Sequence, residues 1–401
     1  MRYEFVEESP NAKLKVFGVG GAGGNAISNM IAAGIKGIDF VAANTDRQAL
    51  DLNPAPRKLQ LGANLTHGLG AGADPEKGAL AAEESVEAIR DAAEGADMVF
   101  ITAGEGGGTG TGASPVIARE ANNMGALTVA VVTKPFDFEG EKRTQVALAG
   151  IQKLKNEVDT LLVIPNQRLR TLGNKDTPFL DLMKMADDVL LYAVKGISDL
   201  ITVPGFINLD FADIKRVMEQ MGTAIMGTGI AEGESRAIEA ARMAINSPLL
   251  EDISIDQARG VLLNITGSSK MTLEEVIEGS SFIKNEVHPN AEILWGMVFD
   301  DKMDDVIRIT LIATGIGGGK DTNIIRIREL TPEERDDDWT VRFKGDLDKP
   351  TYQRRRSEED GEMALNGKGL NPGKRGVLYR VFQKDNLDYP TFLRVRKQQA
   401  E

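Results

Sequence analysis

Short apolar runs alternate with longer stretches of helical periodicity over residues 14–164. Each run ends at a Gly, Asn, Thr or Pro, so polar loops follow the apolar segments. Strands that alternate with helices are typical of βαβ units. The pattern therefore predicts an α/β fold with a Rossmann-like parallel sheet, whose loops collect at the carboxyl ends of the strands, where such sheets bind ligands. The predicted strands are 14–19, 39–44, 97–103, 127–133 and 160–164.

A different pattern follows this first region. Apolar residues at three-and-four spacing predict a long helix over 178–202, which Pro204 and Gly205 end. Beyond it, predicted helices and strands are interleaved, which indicates a second, α+β domain. The predicted helices there are 211–226, 235–244 and 272–287, and the predicted strands are 260–266, 292–299 and 305–314.

The last part of the chain has the composition of a solvated tail. Residues 318–384 are rich in charge and poor in aliphatic side chains, which is typical of a disordered linker. An apolar island within Leu387 to Arg396 follows, and we interpret it as a docking peptide rather than a chance cluster. The predicted organisation is a flexible N-terminus, a nucleotide-binding domain, a central helix with its following loop, an α+β domain, a linker and a terminal peptide, at 1–12, 13–178, 179–209, 210–317, 318–384 and 385–401.

Composition excludes several classes of protein. The net charge of −13, from 47 Lys+Arg and 60 Asp+Glu, argues against a nucleic-acid partner, because phosphate backbones require a positive field. There is no cysteine, and His67 and His288 are the two histidines, so disulfides, thiolate zinc sites and histidine-based catalysis are not expected, and no metal-ligating residue is predicted. The acidic N-terminus lacks the pattern of a signal peptide, and no run approaches a membrane span, so we expect a cytosolic protein.

The 43 glycines concentrate in two loops. Gly18, Gly20 and Gly23 form G-x-G-x-x-G directly after the first predicted strand and before a helix predicted over 26–33. Glycines there permit a tight turn and bring a phosphate to the amides of a helix N-terminus. A turn without ligand and a dinucleotide site share this pattern, so the motif alone does not decide between them.

The second glycine loop makes the prediction more specific. Residues 106–112 contain five glycines and two threonines, before a helix predicted to start near Ser114. Each glycine costs a fold about 0.5 to 1 kcal/mol relative to alanine. Such a run therefore indicates close approach of the backbone to a ligand. Two such loops on neighbouring strand ends predict a polyphosphate that is held from two sides.

Further motifs are needed to identify the type of nucleotide. No G-x-x-x-x-G-K-[S/T] is present, and residues 174–176 are too compact for the guanine motif of P-loop GTPases. A dinucleotide site should have an acidic residue at the end of the second strand, about 20 residues after the loop. Asp39 lies at the wrong end of that strand, and Asp46 lies too far along the chain. The interpretation as an NAD(P)-linked oxidoreductase is thus weakened, but it remains an alternative.

At this point the sequence resembles the FtsZ family, the bacterial cell-division GTPases related to tubulin. The motifs that carry the resemblance follow one another over residues 13–317. They are GVGGAGGNA at 18–26, AANTD at 42–46, GGGTGTG at 106–112, KPFDFEG at 134–140, IPN at 164–166 and PGFINLDFADI at 204–214. The resemblance implies the tubulin/FtsZ fold, GTP and GDP as ligands, Mg²⁺ as cofactor, and a terminal peptide that binds membrane-tethering and regulatory division proteins.

The resemblance also implies roles for individual residues. Glu139 would accept from the ribose hydroxyls, Arg143 would lie beside ribose and phosphate, and Asn166 and Asp187 would read the guanine edge. A surface ion pair is the alternative for Glu139 and Arg143, and Asp188 is the alternative to Asp187. Met183 stands where relatives often have an aromatic ring against the base. The residues implied to surround the phosphates are Gly20, Gly21, Ala22, Gly23, Gly24, Asn25, Asn44, Ala71, Gly72, Gly106, Gly107, Gly108, Thr109, Gly110, Thr111 and Gly112.

Hydrolysis would depend on residues far from these loops in the sequence. Asp210 and Asp213 are spaced three residues apart at a predicted helix start, where capping and first-turn stabilisation are the structural alternatives. The resemblance implies that they polarise the attacking water at the nucleotide of the next subunit, assisted by Asn208. Head-to-tail contacts that do not close produce filaments. We therefore expect a self-assembling GTPase that forms a cytoplasmic ring at midcell beneath the inner membrane; a tubulin-like protein that binds GTP without hydrolysis is a third possibility.

Overall fold

The computed structural model describes residues 12–170, 177–203, 207, 209–219, 223–250 and 255–316. Within these ranges, ten strands form a single sheet. The strands are β1 (Leu14–Val19), β2 (Ile38–Asn44), β3 (Arg57–Gln60), β4 (Met98–Gly104), β5 (Leu127–Lys134), β6 (Thr160–Pro165), β7 (Thr223–Glu232), β8 (Gly260–Gly267), β9 (Glu292–Phe299) and β10 (Val306–Ile316).

The order of the strands places a switch point between β1 and β4. The order across the sheet is β3-β2-β1-β4-β5-β6-β7-β10-β8-β9. From β3 to β7 neighbouring strands are parallel, whereas β10 is antiparallel to both β7 and β8. The chain moves one way along the sheet from β1 to β3 and the other way from β4 to β6. Ligands bind where the strand order reverses in this manner, outside the carboxyl ends of the strands.

Helices cover both faces of the parallel part of the sheet. Both β1 and β4 are buried, and their side chains alternate between two apolar clusters, with Val16 and Phe100 in one and Phe17 and Ile101 in the other. The helices are α1 (Gly20–Ala32), α2 (Arg47–Leu52), α3 (Ala63–Thr66), α4 (Pro75–Glu84), α5 (Val86–Ala93), α6 (Thr109–Asn123), α7 (Glu141–Lys155), α8 (Asn166–Leu169), α9 (Phe179–Thr202), α10 (Phe211–Met218), α11 (Arg236–Ile245) and α12 (Leu273–Glu286).

The long helix α9 joins the two predicted domains. Its buried face carries Val189, Leu190 and Ile197, which share one cluster with residues of β1 and with Leu262 and Ile312. The side-chain amide of Asn264 on β8 donates to the carbonyl oxygen of Gly196 at 2.9 Å. The sheet itself continues between the two regions where β6 pairs with β7. The domain boundaries remain a prediction, while the described strands on both sides belong to one sheet.

The structure differs from the sequence predictions at one helix and two strands. The helix predicted over 211–226 ends at Met218, and β7 begins at Thr223. Apolar residues at 217, 218, 221 and 225 continue a helical spacing by coincidence, but Gly227 and Gly229 belong to a strand that packs closely on α11. A Cβ atom at either glycine would lie 1.9 Å from a carbonyl oxygen of α11. The polar edge strand β3 was missed because only Leu59 of its four residues is buried.

Candidate functional site

The loop after β1 is already helical. The helix α1 begins at Gly20, six residues before the predicted start, and Gly20 has a φ of +72°. A Cβ at Gly23 would lie 2.3 Å from the carbonyl oxygen of Thr102, and one at Gly18 would lie 2.4 Å from that of Gly23. These two glycines are therefore required for packing of α1 on the sheet. Gly21, in contrast, has no atom within 4 Å of its Cβ position and is exposed.

The glycines of the loop after β4 likewise divide into closely packed positions and an open position. The helix α6 begins at Thr109, five residues before the predicted start near Ser114. A Cβ at Gly112 would lie 2.0 Å from the carbonyl oxygen of Pro75, and one at Gly110 would lie 2.7 Å from that of Gly104. Gly107 has open space at its Cβ position. Gly107 and Gly21 are thus the glycines whose faces are left free for a ligand.

The two loops contact each other directly. A Cβ at Gly20 would lie 2.9 Å from the amide nitrogen of Gly110. The hydroxyl of Thr45, which follows β2, lies 2.6 Å from that of Thr109. The Gly106 amide donates to the Thr111 hydroxyl at 2.9 Å, which shapes the turn between β4 and α6. Three strand ends therefore meet at one place, as expected at a switch point.

A cleft of about 320 Å³ lies between these loops and the segments that follow β5 and β6. Residues of both glycine loops line it, and so do four of the five residues predicted near the ribose and the base; the fifth, Asp187, is not part of this lining. Its lining includes Gly21, Ala22, Gly107, Gly108, Thr109, Gly110, Glu139, Arg143, Asn166 and Met183. A second cleft of about 240 Å³ lies on the other side of α1, lined by Gly20, Gly21, Gly24, Asn25 and Asn44 among others.

Other residues predicted for the phosphate end lie behind or beside the loops. Ala71 is buried, and its methyl group packs against Gly108, where a Cβ would lie 2.9 Å away. Gly72 is exposed, with a φ of +65° and open space around it. Asn44 is buried, and its side-chain oxygen accepts from the Asp46 amide at 3.2 Å, so it shapes the end of β2.

The ribose end carries an ion pair within the cleft. The guanidinium of Arg143 lies 3.0 Å from the Glu139 carboxylate, and the other oxygen of that carboxylate accepts from the Phe136 amide at 2.8 Å. The i,i+4 ion pair that was the alternative to a ligand-binding role is therefore present. Because both side chains line the cleft, the pair also presents a carboxylate and a cation towards it.

The base end contains an unpaired acceptor. Asn166 is 8% exposed, and its side-chain oxygen has no hydrogen-bond partner among the described residues. Such a group costs about 1 to 3 kcal/mol when nothing satisfies it. Met183 lines the same end, and Asp187 lies one turn further along α9. Burial, and secondarily the charge of Asp188, raise the pKa of Asp187 to about 6.

Asp210 and Asp213 lie away from the cleft. Asp210 occupies the N-cap position of α10, but its side chain makes no capping hydrogen bond. Asp213 is half-buried, and its carboxylate lies 3.5 Å from the Arg216 guanidinium. The 24-residue helix α9 begins beside the cleft and runs about 36 Å back to Thr202. Thr202 packs against Gly37, which lies just before the amino end of β2. The helix α10 therefore follows near the amino ends of the parallel strands, whereas the cleft lies at their carboxyl ends.

Some of the predicted site residues lie outside the described ranges. Asn208 lies outside the described residues, as do the linker 318–384 and the peptide Leu387 to Arg396. Glu105, in contrast, was not identified as a site residue, although it is a charged residue between a buried strand and the glycine run. It is 3% exposed and lines the cleft. Thr45, fully buried beside Thr109, was also missed.

Family comparisons agree with this geometry. Residues 13–174 match the model of the Tubulin/FtsZ family GTPase domain, and residues 222–317 match that of the FtsZ family C-terminal domain. Fold and site together define a tubulin-like GTPase. The match to cell division protein FtsZ of Magnetospirillum gryphiswaldense has 55% identity over 304 residues, and that to FtsZ of Rickettsia felis has 53% over 326 residues. The chain belongs to the FtsZ family.

The coverage of these matches differs between relatives. They span 76% of this chain and 54% of the Magnetospirillum protein, and 80% of this chain and 72% of the Rickettsia protein. A solved structure of an empty FtsZ dimer from M. jannaschii has a TM-score of 0.74 at 47% identity, covering 77% of this chain and 89% of that one. CetZ2 from Haloferax volcanii, at 20% identity and a TM-score of 0.65, shares the fold. None of these comparisons supports the NAD(P)-linked alternative.

Proposed function

We propose that this chain binds GTP in the 320 Å³ cleft, assembles head to tail and hydrolyses GTP at the contact between subunits, as a cytokinetic filament protein of bacterial division. The observation that carries the proposal is the separation between the cleft and the two acidic residues. Asp210 and Asp213 lie beyond a helix of 24 residues, so they cannot reach the phosphates of their own subunit. A second copy must supply them.

The cleft fits a guanine nucleotide by its chemistry. Gly21 and Gly107 have open space at their Cβ positions, beside the starts of α1 and α6, where free helix amides and the helix dipole favour an anion. An acidic chain can hold phosphates in this way without lysines. The unpaired oxygen of Asn166 and the Asp187 carboxylate accept from the N1–H and 2-amino groups of guanine, which adenine does not offer. Glu139 accepts from the ribose hydroxyls, and Arg143 lies beside them.

Hydrolysis requires contact between two subunits, because each supplies part of the active site. The carboxylates of Asp210 and Asp213 of one subunit polarise a water molecule at the γ-phosphate held by the next, with Asn208 assisting. Amides of both glycine loops stabilise the charge on the phosphates during transfer. Mg²⁺, when bound with the nucleotide, neutralises phosphate charge. The described ranges contain no group of three His, Asp or Glu side chains that could hold a metal ion.

Assembly and turnover are then linked. GTP favours the head-to-tail contact, hydrolysis weakens it, and a heterologous contact that does not close forms a filament. The peptide from Leu387 to Arg396 binds membrane-tethering and regulatory division proteins, which concentrates the filament as a cytoplasmic ring at midcell beneath the inner membrane. No helix among the described residues is long and apolar enough to cross a membrane.

A mixing experiment tests the shared active site. Asp210→Ala retains an intact cleft, and Gly107→Leu retains the acidic residues but fills the cleft, where its side chain has open space. Each variant alone should lose at least about 100-fold in phosphate release. Their mixture should regain activity, because the cleft of one can meet the acidic residues of the other. Asp91→Ala, an exposed aspartate on α5, is the control and should behave as wild type.

The outcomes separate the possibilities. Light scattering after addition of GTP with Mg²⁺ should rise and then fall as phosphate is released, and specific activity should increase with protein concentration. Wild-type turnover by Asp210→Ala would refute the shared site. A specific activity that does not depend on concentration would indicate a monomeric hydrolase, and assembly without phosphate release would indicate a non-hydrolysing tubulin-like protein.

A further inference from the structure

A buried carboxyl group lies at the root of the second glycine loop. Glu105 follows β4 directly, and its amide donates to the Thr133 carbonyl at 2.9 Å, which continues the pairing with β5. It is 3% exposed, and the residue forms part of the cleft lining. Its position is therefore fixed by the same backbone that presents Gly106 and Gly107.

The carboxyl group occupies a space that the neighbouring helices leave open. A Cβ at Gly150 on α7 would lie 2.5 Å from one Glu105 oxygen and 2.2 Å from the Thr111 methyl group, so only glycine at 150 leaves room for both. Neither carboxyl oxygen has a hydrogen-bond partner at bonding geometry in the described part of the chain. The group lies behind the loop, against the first turn of α6.

Within the described ranges, no cation is paired with the Glu105 carboxyl group. The first turns of α6 present Thr111 and no charged side chain. On α7, Arg143 packs its stem against Gly106 but pairs with Glu139 at 3.0 Å. Burial raises the pKa of Glu105 to about 7, the Thr111 hydroxyl opposes the rise, and no charged side chain among the described residues contributes.

We propose that Glu105 is a proton-linked positioning residue of the phosphate site: the neutral acid permits the phosphates to bind at the loop, and its ionisation weakens their binding. The inference rests on the proposed nucleotide function of the cleft. An ionised carboxylate behind the loop would repel the phosphates through a medium that screens charge poorly. Bound phosphates would in turn keep the acid protonated, so binding is linked to uptake of a proton.

The test compares nucleotide affinity across pH in the full chain. Calorimetric titration with GDP avoids hydrolysis and is done from pH 6.0 to 8.5 for wild type, Glu105→Gln and the exposed control Glu278→Gln. The GDP phosphates also titrate, so the measured quantity is the ratio of the wild-type Kd to that of Glu105→Gln at each pH. The ratio should be near one at pH 6 and rise about tenfold by pH 8.5, which corresponds to an upward pKa shift of about one unit on binding.

Each alternative outcome has a definite meaning. A ratio that does not change with pH would overturn the inference, and so would a pH-dependent ratio of the same size for Glu278→Gln. If Glu105→Gln does not fold, wild-type titrations in buffers of different ionisation enthalpy decide: no proton uptake with GDP at pH 7.5 overturns it. Absence of GDP binding at every pH would instead refute the proposed function, whereas normal assembly and hydrolysis with a flat ratio would refute the inference alone.

Discussion

The hydroxyl oxygens of Thr45 and Thr109 lie 2.6 Å apart and join the end of β2 to the first turn of α6. Thr45 is fully buried, so its hydroxyl has no access to water. Removing one partner of a buried hydrogen bond lowers the stability of the fold more than removing both partners, because the remaining group is then left without a partner.

A double-mutant cycle tests this contact. Thr45→Val should lower the free energy of unfolding by about 1 kcal/mol and weaken GDP binding, since the second loop loses its attachment to β2. Thr109→Val in the Thr45→Val background should recover part of that loss, because no buried hydroxyl is then left without a partner. Urea unfolding measures the stability of all four proteins. Strictly additive costs would mean that the two hydroxyls are not coupled.

The glycines of the second loop should respond differently to the same substitution. Gly107→Ala should keep the thermal stability of the wild type but reduce nucleotide affinity, because its Cβ points into open space at the cleft. Gly110→Ala should lower the unfolding temperature, because its Cβ would lie 2.7 Å from the Gly104 carbonyl oxygen. Thermal unfolding and GDP titration of both variants provide the measurement. Equal loss of stability in the two would contradict the assignment.

Guanine recognition can be tested with inosine nucleotides, which lack the 2-amino group. Asp187→Asn should reduce the preference for GDP over IDP about tenfold, because a neutral amide oxygen is a weaker acceptor than a carboxylate. Asp188→Asn serves as the comparison and should have the smaller effect. Competition binding with the two diphosphates gives both preferences. A larger effect at Asp188 would assign base recognition to that residue.

Glu105 should also affect stability in a pH-dependent manner. Its pKa is 4.5 when solvated and about 7 in the fold, so folding favours the neutral acid. The favourable contribution is complete below pH 4.5 and is lost as pH rises to about 7, by about 3 kcal/mol. Glu105→Gln should therefore gain stability relative to wild type over that interval in urea unfolding. Glu278→Gln should follow the wild type, and parallel curves for Glu105→Gln and wild type would contradict this expectation.

Much of the fold could be predicted because local patterns decide it. The strands β1 and β9 begin and end where predicted, since both are bounded by sharp changes in composition. Helix starts were misplaced at Gly20 and Thr109, because glycine has a low helix propensity and only packing against the sheet stabilises it there. The strand β7 was masked by a coincidental helical spacing.

The chemistry of the site follows from the amino-acid sequence, which has two glycine loops after apolar strands, no P-loop, and motifs sufficient to identify the family. Which glycines face the cleft depends on packing between distant segments, because Gly23 and Gly107 differ in their surroundings and not in residue type. The same holds for the unpaired carboxyl of Glu105 and for the distance between the cleft and Asp210, since burial and separation arise from contacts between segments that are remote along the chain.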